Sequence, residues 1–574
     1  FKDFHGLLSS IDPAIIGGIE FYSGVTPSRY GERLSGVLEI APRAWQGTAT
    51  AELGLSLLYA HALTAGRSVE HGIDWLAAVR QSAVQAVLDL TEQRIGEPSF
   101  VDALARVAVP LGERAELVVG LLSLDDRIDA NLSAGTETAR ADYRDRTGWS
   151  RVRYRFDSGA VGTVSIAHSD RHSRRSGVLA RPGSVIGSLR DERGFDDWTI
   201  RGEIALPRRE RWWLRFGAEW ARHDADYDIE RTAQFQPLLA AALGRDAELA
   251  DSARLALDGR RDAIYGTFAA QLAARVRLDI GARLDRWDFA TIERRSRLSP
   301  RIAAEYRWPD DTTLRLSWGL TVQAQRPDEL QIADGESALS APQVARQFVA
   351  ALERRFTDTA VVRIEAFDKR LSPVQPIYEN LFDPVALLPE IDIDRVRVAP
   401  RAARVYGVEV SARWQPRRVW TAWMSYSWSE ATDEFDAFKA PRSWHQRHAF
   451  LLGGGWIGPP WQLSASLLWR SGWQRNELRL TRLNNDARVL TVLGPRNGTH
   501  WNDYLSLDLR ASWNKSLRHG ALKAFAEVTN ATNRINTCCT RYRLIETPEG
   551  LQLEARESGW APLLPMIGLT WRFP

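Results

Sequence analysis

The chain has 574 residues, of which 44% are hydrophobic and 26% charged, with a net charge of +3 and a mean hydropathy of −0.31. No apolar run approaches the ~18 to 20 residues of a membrane helix, which excludes a helical membrane protein but not a membrane barrel, whose strands need only ~9 to 11. The near-neutral balance points to no nucleic-acid partner. Arginines and aromatics tend to alternate on opposite strand faces, so they form no single binding face.

Trp is over-used, at 23 copies beside 19 Phe and 13 Tyr; amphipathic rings suit the membrane–water interface. Cys538 and Cys539 are adjacent, which rules out a disulfide framework and a Cys-rich metal site. A vicinal disulfide and free thiols both remain open for this pair. Met424 and Met566 are the only methionines and no signal peptide precedes them, so the chain reads as a processed product or an excerpt.

In chain order, residues 1–16 are too short to bury a core alone. The stretch 17–43 holds three short extended runs at 18–22, 28–30 and 35–40, broken by Gly24, Gly31 and Gly36. From Ala44 on, one pattern repeats: two alternating strands, a tight turn, then a longer polar loop. Trp212, Leu214, Phe216, Ala218 and Trp220 oppose Arg211, Arg215, Gly217 and Glu219. Leu316 and Trp318 oppose Arg315 and Ser317, and Val408 and Val410 oppose Gly407 and Glu409. Period 2 with one apolar face is the signature of half-buried strands.

Tight turns are expected near 81–83, 110–113, 157–160, 207–210, 273–274, 309–311, 357–359, 416–418, 458–460 and 514–518. Between them fall longer loops near 60–70, 91–98, 128–148, 170–196, 229–261, 290–297, 325–343, 371–401, 431–445, 472–500 and 531–561. The alternation predicts an all-β fold: a transmembrane antiparallel barrel of about 22 strands, with both termini on the short-turn side. The last strand places Pro565, Ile567, Leu569, Trp571 and Phe573 on one face.

With a barrel in place, Ile19-Glu20-Phe21-Tyr22-Ser23-Gly24, then Tyr30-Gly31 and Ser35-Gly36-Val37, resembles the end of the plug domain of TonB-dependent receptors. Gly407-Val408-Glu409-Val410, Asn530-Ala531-Thr532-Asn533-Arg534 before Cys538-Cys539, and the C-terminal strand are similar to barrel segments of the same family. Pro574 after Phe573 departs from the usual terminal aromatic. The resemblance implies residues 1–45 as the C-terminal part of a plug domain and 46–574 as the transmembrane barrel. It implies a Gram-negative outer-membrane receptor, assembled by the barrel assembly machinery and surrounded by outer-membrane lipid. Such a receptor binds a scarce nutrient outside (an iron–siderophore, cobalamin or oligosaccharide) and imports it with energy from TonB–ExbB–ExbD. The alternative is a barrel with a vestigial plug acting as a passive channel, scaffold or adhesin. The TonB box and most plug strands are absent from the sequence. They are expected to have been cut or left out; a remnant plug and a plug completed by a separate chain are the alternatives.

By the same resemblance, plug arginines Arg29 and Arg33 are expected to lock onto lumen-facing Glu353 and Glu409. Ligand contacts are expected from the loops, at Asp334, Tyr378, Asn380, Asp392 and Asp394. Asp392-x-Asp394 is a minimal calcium-type pair, but solvated loop charge is the plainer reading, and no metal is assigned. His168 and His172 lie at a strand end, which disfavours a metal pair. Residues 229–261 look locally helical at 238–243 and 249–257. No catalytic constellation and no cofactor is expected.

Overall fold

The computed structural model describes residues 11–43, 49–83, 97–132, 136–289, 292–482, 488–548 and 550–573. Twenty-two antiparallel strands close into a barrel. The first, Thr50–Ser56, pairs with the last, Leu564–Phe573, with Ala51 opposite Phe573. Arg572 reaches across this seam to Glu52, Nη2 to Oε2 2.7 Å.

The two ends of the barrel are unlike. On one side the strands turn at 112–114, 156–160, 274–275, 358–359, 459–460 and 518–519. On the other, connections run to 372–401, 471–503 and 530–563. The first pair is displaced from expectation. The chain turns at 57–58 and 68–73, while 60–70 and 81–83 fall largely in strands Tyr59–Arg67 and Asp74–Ser82. The expected loop 91–98 and the boundary at 45/46 fall mostly outside the described residues.

A larger difference lies at 128–148, 170–196 and 229–261, expected as loops. Strands run through them: Ala115–Leu132, Glu137–Arg155, Val161–Arg181, Val185–Ala205, Trp212–Phe235 and Glu248–Ala273, the last of 26 residues. These strands are far longer than the ~9 to 11 residues needed to cross a membrane. The physical reason is a change of phase in the alternation. In Trp212–Phe235 the outward set is Trp212, Leu214, Phe216, Ala218 and Trp220, then becomes Arg222, Asp224, Asp226, Asp228 and Glu230. From Ala221 onward the apolar set faces inward, with Ala221, Ala225, Tyr227, Ile229, Ala233 and Phe235 all buried. The apolar stripe thus moves from lipid on the outside to a packed core on the inside. Of 229–261, Pro237–Ala242 is helical, overlapping the expected 238–243, whereas 249–257 is strand.

That inner core lies at the loop-side end of the barrel. Leu189, Tyr227, Leu257 and Trp287 of the wall pack against Leu330 and Ile332 of 324–342, and against Phe382, Leu388 and Ile391 of 372–401. Ile391 and Leu330 are 0% exposed. Loops that bury whole aliphatic side chains behave as a folded cap rather than as solvated connections.

Within the lumen lies a two-stranded hairpin, Ile16–Ser23 paired with Gly36–Pro42. Residues 28–30, expected to be extended, form a turn closed by Tyr30 N donating to Pro27 O at 3.0 Å.

Candidate functional site: the luminal hairpin and the cap above it

The connecting segment of the hairpin, 24–35, is held by side chains that point inward from neighbouring barrel strands. Arg301, on strand Ile292–Arg307, donates to Thr26 O at 2.6 Å, to Tyr30 O at 3.1 Å and to Pro27 O. Arg283, on Val276–Phe289, is 1% exposed and donates to Arg29 O at 3.4 Å. Gln347 donates to Leu34 O at 3.0 Å, and Ser28 donates to Gly266 O at 2.9 Å. Guanidinium groups suit this task, because a rigid fork satisfies several carbonyls of an irregular backbone at once. Gly31 is required by that approach: a Cβ there would lie 2.3 Å from Arg283 Nε.

Glu32 is the hairpin's buried acid. Its carboxylate accepts from Trp287 Nε1 at 2.9 Å and from Ala324 N at 2.8 Å. Burial pushes its carboxyl up, while the Arg261 charge works the other way. Its backbone is left-handed, φ +55°, an uncommon and strained state for a residue with a side chain.

The expected lock between Arg29 or Arg33 and Glu353 or Glu409 is not the arrangement found. Arg29 pairs with Glu39 within the hairpin, at 2.9 Å, and Arg33 donates to Glu32 O at 2.6 Å. Glu353 and Glu409 do face the lumen, but Glu353 has Arg363 at 3.9 Å and Glu409 lies across the ladder from Glu365. Charge roles are reversed: barrel arginines grip hairpin carbonyls, and the hairpin's acid is held by an indole and an amide. Parity placed the inward residues correctly. Carbonyl acceptors carry no sequence signal, so their pairing with Arg283 and Arg301 was invisible.

Around the hairpin, a chamber of about 450 Å³ is lined by Tyr22, Arg215, Arg277, Arg315, Arg363 and Glu365. A smaller cavity of about 270 Å³ lies in the cap among Arg181, Phe382, Asp383, Asp392, Arg541 and Tyr542.

The loop residues expected to meet ligand are built into the cap. Asp334 accepts from Arg395 Nε at 3.1 Å and Nη2 at 2.5 Å, with Arg231 at 3.4 Å. Asp392 pairs with Arg181 at 2.7 Å. Asp394 accepts from Phe382 N at 2.7 Å, Asp383 N at 3.0 Å and Asn380 Nδ2 at 2.8 Å. Burial and then the neighbouring charge of Asp392 push the Asp394 carboxyl up to about 7. Tyr378 lies on strand Ile377–Asn380, partly exposed, with the Arg395 guanidinium 5.8 Å from its ring. Further arginines hold the cap: Arg175 of the wall pairs with Glu390, while Arg541 of the connection 530–563 pairs with Asp383 at 2.6 Å and Arg245, just after the helix, donates to Asp392 O at 2.8 Å. Burial works against the Glu390 charge, but Arg175 outweighs it and holds the carboxyl below its usual range. Buried acids so paired order a loop, and Asp392 and Asp394 also line the cap cavity.

Cys538 and Cys539 are bonded to each other and buried at the start of strand Thr537–Thr547. His168 Nε2 lies 2.6 Å from Asp196 and its ring stacks on Trp198, while His172 Nε2 lies 3.4 Å from Asp170.

The chain matches the family model described as TonB dependent receptor-like, beta-barrel, over residues 114–531, well over half of its length. No curated protein matches the sequence closely enough to count as a relative. Several solved structures share the fold. FpvA of P. aeruginosa, in complex with a heterologous pyoverdine and iron, aligns with a TM-score of 0.66 at 14% identity, over 98% of this chain and 76% of that one. FauA of Bordetella pertussis, the alcaligin outer-membrane receptor, aligns with a TM-score of 0.60 at 14% identity, over 98% and 82%. BauA of Acinetobacter baumannii, the ferric preacinetobactin receptor, aligns with a TM-score of 0.66 at 13% identity, over 98% and 86%. At such identities the likeness is one of fold. The family match, together with the closed barrel of 22 strands, places this chain in the TonB-dependent receptor family, in the outer membrane of a Gram-negative bacterium.

Proposed function

We propose that the protein is an energised importer, which takes up a small ligand of the iron-chelate class from outside and releases it to the periplasm. The luminal hairpin is read as belonging to residues 1–45, the C-terminal part of a plug domain, with the barrel in 46–574. Energy comes from TonB–ExbB–ExbD acting on the plug. The observation that carries the reading is the hairpin's attachment. Four inward side chains from three strands, with Gly266 O of a fourth accepting from Ser28, hold 24–35 by hydrogen bonds, beside one small apolar contact of Leu34 with Ala345 and Leu371. Such contacts are individually modest and break under a pull, as a gated passage requires. The iron-chelate class is carried over from the structural neighbours, which include receptors for pyoverdine, alcaligin and preacinetobactin. Cobalamin and oligosaccharides are the other cargo classes of the family-level expectation. The passive-channel reading is disfavoured by the packed cap, in which loops 324–342 and 372–401 share an aliphatic core with the wall.

The test is growth under iron limitation in a receptor-deficient host expressing the complete gene, supplied with single ferric chelates. Growth on at least one chelate that disappears in a host lacking TonB supports the reading. Growth that is equal without TonB refutes it.

A further inference from the structure

The loops 324–342 and 372–401 are folded, and the hairpin touches the root of the first. Ala324, whose amide donates to Glu32 at 2.8 Å, is the first residue after strand Thr312–Gln323 and opens loop 324–342. Farther along that loop, Asp334 is bound to Arg395, which follows the cap's innermost turn, Pro389–Ile391. The other donor to Glu32, Trp287, is 1% exposed and belongs to the same apolar cluster as Leu330, Leu388 and Ile391. One carboxylate therefore joins the hairpin to both the polar and the apolar supports of the cap.

We infer that Glu32 is a positioning residue that latches the extracellular cap to the luminal hairpin, so that displacement of the hairpin unlocks the mouth of the barrel. Two features single it out from the other hairpin contacts. Arg283, Arg301 and Gln347 bond to hairpin carbonyls from the barrel wall, whereas Glu32 reaches the first residue of a cap loop. Its left-handed backbone, φ +55°, is unfavourable for glutamate and is held by the two side-chain hydrogen bonds. Moving the hairpin removes both acceptor contacts together. That leaves the Ala324 amide and the Trp287 indole unpartnered in a dry site, an arrangement that favours opening and hydration of the loop root. The two ends of the passage are coupled from Glu32 to Ala324, along the loop 324–342 to Asp334, and from Asp334 to Arg395 of the loop 372–401.

The latch needs no cargo and no energy source, so it stands or falls apart from the proposed import. It is tested by hydrogen exchange on the full chain, purified in detergent, with heat-modifiable gel mobility confirming that the barrel is folded. Glu32→Ala is expected to speed exchange by about tenfold or more in 324–342 and 372–401, while the strands facing lipid stay unchanged. Trp287→Phe, which removes one donor but also leaves a void in the cluster beneath the cap, is expected to speed exchange in the same two loops and is read only beside Glu32→Gln. Glu32→Gln, which keeps one acceptor oxygen, should fall between wild type and Glu32→Ala. Faster exchange confined to 24–35, or unchanged exchange in 372–401, overturns the latch. Should Glu32→Ala fail to fold, Glu32→Gln decides alone, because it changes the hydrogen bonding without leaving a void: faster exchange in 372–401 supports the latch and unchanged exchange refutes it.

Discussion

Arg301→Ala removes the side chain that bonds to most of the hairpin's connecting segment. Its guanidinium donates to Thr26 O, Pro27 O and Tyr30 O, and the residue is 6% exposed. Hydrogen bonds from a charged donor contribute about 1.5 to 3 kcal/mol each, so three bonds suggest roughly 4.5 to 9 kcal/mol in gross terms. Two effects reduce that figure. Removing a buried cation also removes its desolvation cost, which is several kcal/mol. The chamber beside the hairpin, about 450 Å³, admits water to the freed carbonyls. The net loosening is therefore put at about 2 to 4 kcal/mol, or roughly 30- to 900-fold in the local opening equilibrium. Hydrogen exchange read at 24–35 measures it directly. Arg301→Lys, a point charge without the planar fork, should recover part of the protection. Arg277→Ala is the control, since that arginine lines the same chamber but bonds to Asp279. Exchange at 24–35 within about threefold of wild type in a folded Arg301→Ala barrel would refute the arginine grip.

Three further outcomes follow from the same contacts. Ile391→Ala leaves a void in the cap core and is expected to cost about 2 to 5 kcal/mol locally; proteolysis within 372–401 should accelerate while the barrel's gel-shift temperature holds. Asp394 gives a pH dependence whose sign is set by its raised carboxyl. The folded loop holds a proton that an unfolded loop releases, so the cap is tightest below the ordinary carboxylate value of 3.8, loosens as pH rises from there to about 7, and levels off above that. Asp394→Asn should flatten that dependence, measured as exchange in 372–401 corrected for the intrinsic rate. At the seam, Glu52→Ala breaks the bond to a half-exposed Arg572 and should lower barrel stability by about 1 kcal/mol, read as a modest fall in the gel-shift temperature.

The barrel was legible because lipid and lumen impose opposite chemistry on neighbouring residues. The run from Trp212 to Trp220 therefore declares its faces without any tertiary information. The tall strands were hidden by the same rule. Beyond Trp220 the outward set turns acidic and basic, which reads as loop, while the inward set of Ala225, Tyr227 and Ile229 turns apolar. Alternation persisted with its sign reversed, and a pattern keyed to one sign stops at the membrane edge. The cap was misjudged for a related reason. Asp334, Asp392 and Asp394 are acids in polar segments, and only the fold brings Arg395, Arg181 and three hydrogen-bond donors to them. The hairpin contacts escaped because half of each bond belongs to a carbonyl, which every residue has.

Uptake of a radiolabelled ferric chelate tests gated import most directly, in cells expressing the complete gene as their sole receptor. Gated import predicts accumulation of at least one chelate that stops when a protonophore collapses the inner-membrane gradient, with Arg301→Ala cells still dependent on that gradient. Accumulation that continues unchanged in the presence of the protonophore would contradict it.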